Sequence, residues 1–294
     1  MANPQPASRK PKRGVSLYSY SGEYGVTMTI EDMFADIHDL GADGLEILGN
    51  SHIDGYPEPT DAWVENWFRL LAQYQLKPVE YGHWVDSRLY PGRELSTQES
   101  YALLQRDLKL AGRLGFPFLR TKLGVIDDDL TPVTNWREFI ALALPLAEEH
   151  NVCMCPEIHT PTVLKSKMVD DYVEFIEKHQ TKHFGINIDF SVFQTNPLPM
   201  WEGQDLSTLK FSPVEDIVPL LPYTPLCHAK FVNMSEDFVE TTTPYDKILG
   251  LLSEHKWDGY LLSEYEGPHK DVPGYSSSQL RRHHILLKRL LGER

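Results

Sequence analysis

Eight short apolar runs, separated by longer amphipathic stretches, constrain the fold of this chain more than any other feature of its sequence. The runs are rich in β-forming residues, as buried parallel strands are. They cover residues 14–20, 43–49, 78–84, 117–123, 152–158, 184–190, 226–232 and 259–265. Between them lie helical patterns that begin after capping residues such as Thr29 and Ser96 and end near glycines such as Gly41 and Gly115. Eight strand–helix repeats in 294 residues predict a single (β/α)₈ TIM barrel, a fold that usually takes about 250 residues.

A doubly wound parallel sheet is the alternative architecture, because it also alternates strands with helices. The sequence has neither a GxGxxG motif after the first run nor a GxxxxGK[ST] motif, which disfavours that fold. We expect residues 1–12, which are basic and Pro-rich, to form a disordered N-terminal arm, and residues 13–294 to form one catalytic barrel domain. The stretch 191–212 is predicted to be a loop insertion after the sixth strand, since it is too long for a simple connection.

The charge balance excludes some classes of partner. Acidic residues number 42 against 28 Lys and Arg, and the resulting formal charge of −14 disfavours a nucleic-acid groove or an anionic membrane surface. No apolar run approaches the roughly 18 residues that span a bilayer, and the N-terminal segment lacks the apolar stretch of a secretory signal. The three cysteines, Cys153, Cys155 and Cys227, are too few for a disulfide scaffold and are expected to be inert core thiols. We therefore predict a cytoplasmic protein that acts on a small molecule, with no nucleic-acid or membrane partner.

Side chains able to bind a metal stand at the ends of four consecutive predicted strands. They are Glu157 and His159 on the fifth strand, Asp189 on the sixth, His228 with Lys230 on the seventh, and Glu264 with Glu266 on the eighth. Active sites of TIM barrels lie at these strand ends, and the two-residue period of a strand lets three carboxylates and one imidazole converge there. Unpaired buried carboxylates repel one another, and a divalent cation relieves that repulsion. A set of three oxygens and one nitrogen without thiolate favours Mn²⁺ or Mg²⁺ over structural zinc.

Each of these residues also has a structural interpretation. A single acidic side chain at a strand end could cap the next helix or solvate a loop, and Glu266 could replace Glu264 as a ligand, since both face the same way. His159 could instead be a loop imidazole that donates to a backbone carbonyl. Lys230 could bind a substrate oxygen or only neutralise the acidic cluster.

Further candidates could line a substrate pocket. His83 ends the third strand, and Arg120 with Lys122 ends the fourth, although a lone histidine on a strand is more often structural. Tyr18, together with Tyr20 and Tyr24, could form an aromatic wall for a sugar or flavonoid ring.

The order of these residues resembles that of a known superfamily. Glu157, Asp189, His228 and Glu264 are separated by 32, 39 and 36 residues, as in the xylose-isomerase-like sugar phosphate isomerase/epimerase barrels. From about Arg13 onward, the motifs RGVSLYSY, EIH, NIDFSVFQ, CHAKF and SEYEG are similar to those of the alpha (large, catalytic) subunit of bacterial C-glycoside deglycosidases.

The resemblance implies the chemistry of the site and a partner. It implies that Glu157, Asp189, His228 and Glu264 bind a divalent metal, with Mn²⁺ expected first and Mg²⁺ as the alternative. It also implies that His159 is the catalytic base, whereas in the 3-epimerases a pair of metal-bound glutamates moves the proton. A small β subunit is the implied partner in a hetero-oligomer. Lys230, His83 and Tyr18 are the residues that we expect to bind substrate.

Three functions follow as hypotheses. The first is a lyase that cleaves the C–C bond of 3-oxo-C-glycosides, removing a proton and then eliminating an aryl group, as flavonoid degradation requires. The second is a ketose epimerase, a sugar isomerase or an inosose dehydratase, which uses the same machinery on a substrate without that leaving group. The third is a non-catalytic barrel that binds a sugar or serves as a scaffold.

The 191–212 insertion is the segment expected to contact a partner. It carries the apolar residues Phe193, Pro197, Pro199, Met200 and Trp201. Exposed apolar clusters usually dock onto something. Packing on the chain itself as a lid is one interpretation, and docking of the small subunit is the other, which the resemblance favours.

Overall fold

A computed structural model describes residues 10–85, 93–123, 131–197 and 205–293 of the chain. Nine parallel strands within these residues form one sheet. The strands are β1 (Lys12–Ser16), β2 (Gly44–Leu48), β3 (Lys77–Val85), β4 (Phe118–Leu123), β5 (Cys153–Met154), β6 (Glu157–Ile158), β7 (Asn187–Asp189), β8 (Leu226–Phe231) and β9 (Tyr260–Tyr265).

Helices alternate with these strands and cover the outside of the sheet. They are α1 (Ile30–Asp39), α2 (Gly49–His52), α3 (Asp61–Tyr74), α4 (Thr97–Leu114), α5 (Trp136–Glu149), α6 (Lys167–His179), α7 (Tyr245–Glu254) and α8 (Tyr275–Leu291). Thr29 and Ser96 cap α1 and α4 through capping boxes, as their positions in the sequence predict. Gly115 ends α4 in the left-handed conformation that glycine adopts without strain, with φ of 82°.

The sheet closes into a barrel through the segment that contains β5 and β6. Its order is β5-β4-β3-β2-β1-β9-β8-β7-β6, so the two ends of the sheet are consecutive pieces of chain. Cys155 N donates to Leu119 O at 2.8 Å on one side, and Asn187 N donates to Pro156 O at 3.0 Å on the other. Pro156 has no N–H to donate, which interrupts the predicted fifth strand. The eight predicted strands are therefore confirmed as a TIM barrel, with the fifth strand in two pieces.

The first strand ends earlier than the sequence predicts. β1 stops at Ser16, whose hydroxyl accepts from Tyr18 N and starts a 3₁₀ turn over Leu17–Tyr20. This turn leaves the sheet, so the tyrosines after Ser16 do not alternate between its two faces. At the other end, β1 begins at Lys12, the last residue of the predicted arm, and residues 1–9 lie outside the described part of the chain.

A small apolar plug fills the bottom of the barrel, and a larger core lies between the barrel and the helices. The plug consists of Val79, Cys155, Leu226 and Leu262. Cys155 and Cys227 are fully buried, as predicted for core thiols, whereas Cys153 is half-buried. Burial raises the pKa of Cys155 and of Cys227, which keeps both thiols protonated and unreactive.

The predicted loop insertion begins within a buried 3₁₀ turn that follows β7 directly. Phe193 is buried against Phe190 in a 3₁₀ turn, so this residue packs on the chain itself, as the first of the two interpretations of the insertion expects. Pro199, Met200 and Trp201 lie outside the described residues. None of the described helices has the length and apolar character to cross a membrane.

Candidate metal centre

Inward-facing residues form a polar layer directly above the apolar plug. Strand alternation continues from plug residues to polar ones: Cys155 is followed by Glu157, Leu226 by His228, and Leu262 by Glu264. The strand ends therefore supply the polar groups, while the strand centres supply the packing that holds them.

Glu157, Asp189, His228 and Glu264 meet in this layer. Each offers one ligand atom, and the four atoms lie within 4.8 Å of one another. His228 Nδ1 is 2.8 Å from Glu157 Oε1, 3.6 Å from Glu264 Oε2 and 3.9 Å from Asp189 Oδ2. The exposed fraction of each side chain is 3% or less. The structure therefore brings together the four residues that the sequence placed at neighbouring strand ends.

These residues fit a divalent cation. Asp189 Oδ2 and Glu264 Oε2 are buried, and the Lys230 ammonium pairs with them at 3.1 Å and 3.4 Å, but no donor among the described residues is oriented to make a hydrogen bond to either atom. Three carboxylates with one imidazole nitrogen are a donor set that Mn²⁺ and Mg²⁺ accept. Glu266 Oε2 instead lies 2.7 Å from Lys230 Nζ, so Glu264 rather than Glu266 belongs to the cluster.

Burial and mutual repulsion perturb the titration of the cluster. Burial and two neighbouring carboxylates raise the pKa of Asp189 to about 7, although Lys230 lowers it. Burial also acts to raise the pKa of Glu157, but Arg120 and His228 hold it well below its ordinary value. Burial opposes protonation of His228, yet the surrounding carboxylates, Glu46 first, raise its pKa well above the ordinary range. A cation that binds to Nδ1 must therefore displace a proton.

Two carboxylates below the cluster are not identified by the sequence reasoning. Glu80 Oε2 lies 2.9 Å from His228 Nε2, and Glu46 Oε2 lies 3.3 Å from the same nitrogen. The sequence does contain a signal for Glu46, which interrupts the apolar run GLEIL at an inward position. Glu80 has no such signal, because a bulge directs it inward.

The bulge is visible in the pairing of β2 with β3. Leu45 pairs with Pro78, but Glu46 pairs with Glu80, which leaves Val79 as an extra residue on β3. Val79 packs in the plug and Glu80 bonds to His228, so two consecutive residues face the interior. Bulges re-aim side chains in this way beside functional sites.

Arg120, which the sequence suggests as a residue lining the pocket, instead pairs with two buried carboxylates. Its Nε lies 3.1 Å from Glu46 Oε1, and its Nη1 lies 3.1 Å from Glu157 Oε2. The side chain is 11% exposed. Arg120 therefore lies inside the barrel, where it compensates the charge of two carboxylates.

His159 follows β6 directly, two residues after Glu157. Its Nδ1 lies 2.7 Å from Thr160 O. A proton on Nδ1 that is donated to this carbonyl makes Nε2 the basic nitrogen of the neutral ring.

The three residues predicted to bind substrate are Lys230, Tyr18 and His83, and the structure describes the side chains of the first two. Lys230 Nζ contacts Asp189 Oδ2 at 3.1 Å and Glu264 Oε2 at 3.4 Å, besides its contact with Glu266. Tyr18 donates to Glu266 Oε1 at 3.4 Å, which places it at the mouth of the cluster. His83 lies in β3, but its side chain is outside the part of the chain that the structure describes.

The proposed aromatic wall is only partly present. Tyr20 is fully buried and donates to Asp36 Oδ2 on α1, so its assignment to the wall is wrong. Tyr24 packs against His52, with ring centroids 4.9 Å apart. Tyr18 and Tyr20 lie in the 3₁₀ turn over Leu17–Tyr20, where residues two apart no longer share a face, and Tyr24 lies beyond that turn.

Comparison with known proteins shows that the chain is similar to curated proteins along most of its length. The chain is 25% identical to the 3'-dehydrocarminate deglycosidase alpha subunit of Microbacterium sp, with 96% of each protein covered. It is 22% identical to a C-glycoside deglycosidase alpha subunit of Arthrobacter globiformis, over 88% of this chain and 85% of the relative.

Solved structures share the fold. D-psicose 3-epimerase from Clostridium cellulolyticum H10 superposes with a TM-score of 0.67 and 14% identity, covering 96% of this chain and all of the epimerase chain (100%). A family model described as Xylose isomerase-like TIM barrel matches residues 34–283. That match takes in most of the chain and all four clustered residues, and the chain therefore belongs to the Xylose isomerase-like TIM barrel family.

Proposed function

We propose that this chain is the catalytic subunit of a metal-dependent C-glycoside deglycosidase, a lyase that cleaves the C–C bond of 3-oxo-C-glycosides. The observation that carries the proposal is the convergence of Glu157, Asp189, His228 and Glu264 beside His159. The similarity to alpha subunits of deglycosidases, one of them named for a 3'-dehydro substrate, supports the substrate class.

Glu157, Asp189, His228 and Glu264 would hold the divalent metal, Mn²⁺ in our proposal. A divalent cation supplies Lewis acidity, which makes the C–H bond next to a sugar carbonyl easier to break. The buried carboxylates bring three negative charges to the site, and Lys230 and Arg120 compensate part of that charge.

His159 acts as the general base in this proposal. Thr160 O orients its ring, so Nε2 takes the proton from C2 of the 3-oxo sugar. The electrons of the C2–H bond form the C1–C2 double bond, and the bond from C1 to the aryl carbon breaks. The departing aryl carbon takes up one proton, so the elimination consumes no other reagent.

We assign substrate binding to Lys230, Tyr18 and His83. Lys230 and Tyr18 both contact Glu266, which places an ammonium and a phenol beside the cluster, where sugar hydroxyls would bind. Backbone pairing of His83 with Thr121 puts it at the same end of the barrel.

The partner that we propose is a small β subunit, because the curated relatives are named alpha subunits. We further propose that the complex works in the cytoplasm on flavonoid-type C-glycosides.

The test compares substrates on the Mn²⁺-loaded chain, alone and co-expressed with the small subunit. An oxidised C-glucosyl flavone should release free aglycone, detected by chromatography, and His159→Ala should slow the release by roughly 10²–10⁴-fold while retaining the metal. D-fructose and D-psicose are the control substrates, and neither should be converted.

A ketose epimerase, an isomerase or an inosose dehydratase is the second candidate. The observation that favours it is that Glu157 and Glu264 both belong to the one cluster, as proton transfer by a pair of glutamates requires. Interconversion of the ketohexoses without aglycone release would establish it against our proposal. A chain that binds a sugar but converts none of these substrates would be the non-catalytic barrel.

A further inference from the structure

His228 lies between two groups of carboxylates. Its Nδ1 faces Glu157 at 2.8 Å, and its Nε2 faces Glu80 at 2.9 Å. The side chains of His228 and Glu80 are both 0% exposed. A neutral imidazole carries one proton, and the nitrogen that binds a metal must be the other one. The group that accepts the proton on Nε2 therefore decides whether Nδ1 can be a ligand.

Asn187 holds Glu80 and His228 in a fixed relation. Its Nδ2 donates to both carboxylate oxygens of Glu80 at 3.2 Å, and its Oδ1 accepts from the backbone N–H of His228 at 3.1 Å. Glu80 comes from β3 and His228 from β8, on different sides of the barrel. The acceptor is therefore held in place before any metal binds.

Glu46 is less suited to be this acceptor. It lies farther from Nε2, at 3.3 Å, and Arg120 pairs with its other oxygen at 3.1 Å. Arg120 also contacts Glu157 Oε2, which leaves Glu157 Oε1 as the oxygen nearest to His228 Nδ1. Arg120 thus holds the carboxylates of Glu46 and Glu157, while the carboxylate of Glu80 faces His228 Nε2.

We propose that Glu80 is a positioning residue of the metal centre, accepting the Nε2–H of His228 so that Nδ1 is directed at the metal. The inference rests on the proposed metal site and goes one step deeper, because it assigns Glu80 to the support of a ligand, although Glu80, Glu46 and His228 also lie close enough together to hold an ion themselves. Partners of this kind orient metal-binding histidines and contribute about 10–100-fold to metal affinity.

The experiment is titration calorimetry of the metal-free full chain with MnCl₂. Three variants are compared with the unsubstituted protein. Glu80→Met has a similar volume but cannot accept the Nε2–H, and should weaken Mn²⁺ binding by about 10–100-fold. Glu80→Gln retains an oxygen acceptor and should restore the affinity to within a few-fold. Asp107→Asn is the matched control, since Asp107 is also a fully buried acid but bonds to Tyr81 on the far side of β3.

A measurement on the unsubstituted protein keeps the test decisive if Glu80→Met fails to fold. In the Mg²⁺-loaded protein with ¹⁵N-labelled histidine, the spectrum of His228 should show a protonated Nε2 and an unprotonated Nδ1. The opposite tautomer would overturn the proposal.

Other outcomes distinguish a failure of the metal site from a failure of the role of Glu80. Unchanged Mn²⁺ affinity in Glu80→Met, or an equal loss in Asp107→Asn, would overturn the role of Glu80 while leaving the metal site intact. Two ions per unsubstituted chain, with one lost in Glu80→Met, would also overturn it by making Glu80 a ligand. An unsubstituted chain that binds no divalent ion would overturn the metal site and the role of Glu80 together.

Discussion

Lys230 contacts the same two oxygens that a metal would bind. Its Nζ lies 3.1 Å from Asp189 Oδ2 and 3.4 Å from Glu264 Oε2, and the side chain is 8% exposed. Lys230→Met removes the charge and keeps most of the volume. Breaking a buried pair by removing one partner costs about 3–5 kcal/mol. At about 2–3 °C per kcal/mol for a chain of this size, the metal-free protein should melt roughly 6–15 °C lower.

The same substitution should cost much less when the site is loaded. A divalent ion compensates Asp189 and Glu264 directly, and it no longer has to displace an ammonium. The upward shift of the melting temperature caused by Mn²⁺ should therefore be larger in Lys230→Met than in the unsubstituted protein.

The assay is thermal unfolding of both proteins with EDTA and with excess MnCl₂. Lys247→Met is the control, because Lys247 pairs with Glu215 at 2.8 Å while 52% exposed. Exposed pairs contribute about 0–1 kcal/mol, so this variant should melt almost like the parent under both conditions. Equal destabilisation of Lys230→Met with and without Mn²⁺ would refute the claim that lysine and metal share these oxygens.

Four further predictions concern the site, the partner and the buried histidines. His159→Ala should lower kcat by roughly 10²–10⁴-fold and leave the Mn²⁺ content unchanged; equal loss of metal would make His159 a ligand. Glu157→Ala or His228→Ala should reduce the metal content, expected near one ion per chain, to background in elemental analysis. The chain expressed alone should show poor activity and solubility, and co-expression with the small subunit should give a stable larger complex on size exclusion; a fully active monomer contradicts this. Burial lowers the pKa of His283 to about 3, so its contribution to stability is complete above the ordinary pKa of about 6.5 and is lost as the pH falls. Between pH 6.5 and 5, urea unfolding of His283→Gln should lose about 1 kcal/mol per pH unit less than the parent protein; parallel slopes would refute it.

The sequence alone determines the barrel and the four residues that meet at the ends of its later strands. The eight apolar runs are local patterns, and the capping residues Thr29 and Ser96 satisfy the first backbone groups of their own helices. Residues at the ends of successive parallel strands must meet at one rim of a closed sheet. For that reason Glu157, Asp189, His228 and Glu264 could be predicted as neighbours from the sequence.

Only the tertiary structure decides which of the inward groups face one another. Strand alternation gives the face of a residue but neither its height nor its partner across the barrel, so it leaves Glu264 and Glu266 equivalent. The closed barrel separates them, with Glu264 in the cluster and Glu266 on Lys230. Glu80 faces His228 because a bulge at Val79 breaks the alternation of β3. A bulge depends on the register between two strands far apart in the sequence, and packing of the whole barrel sets that register.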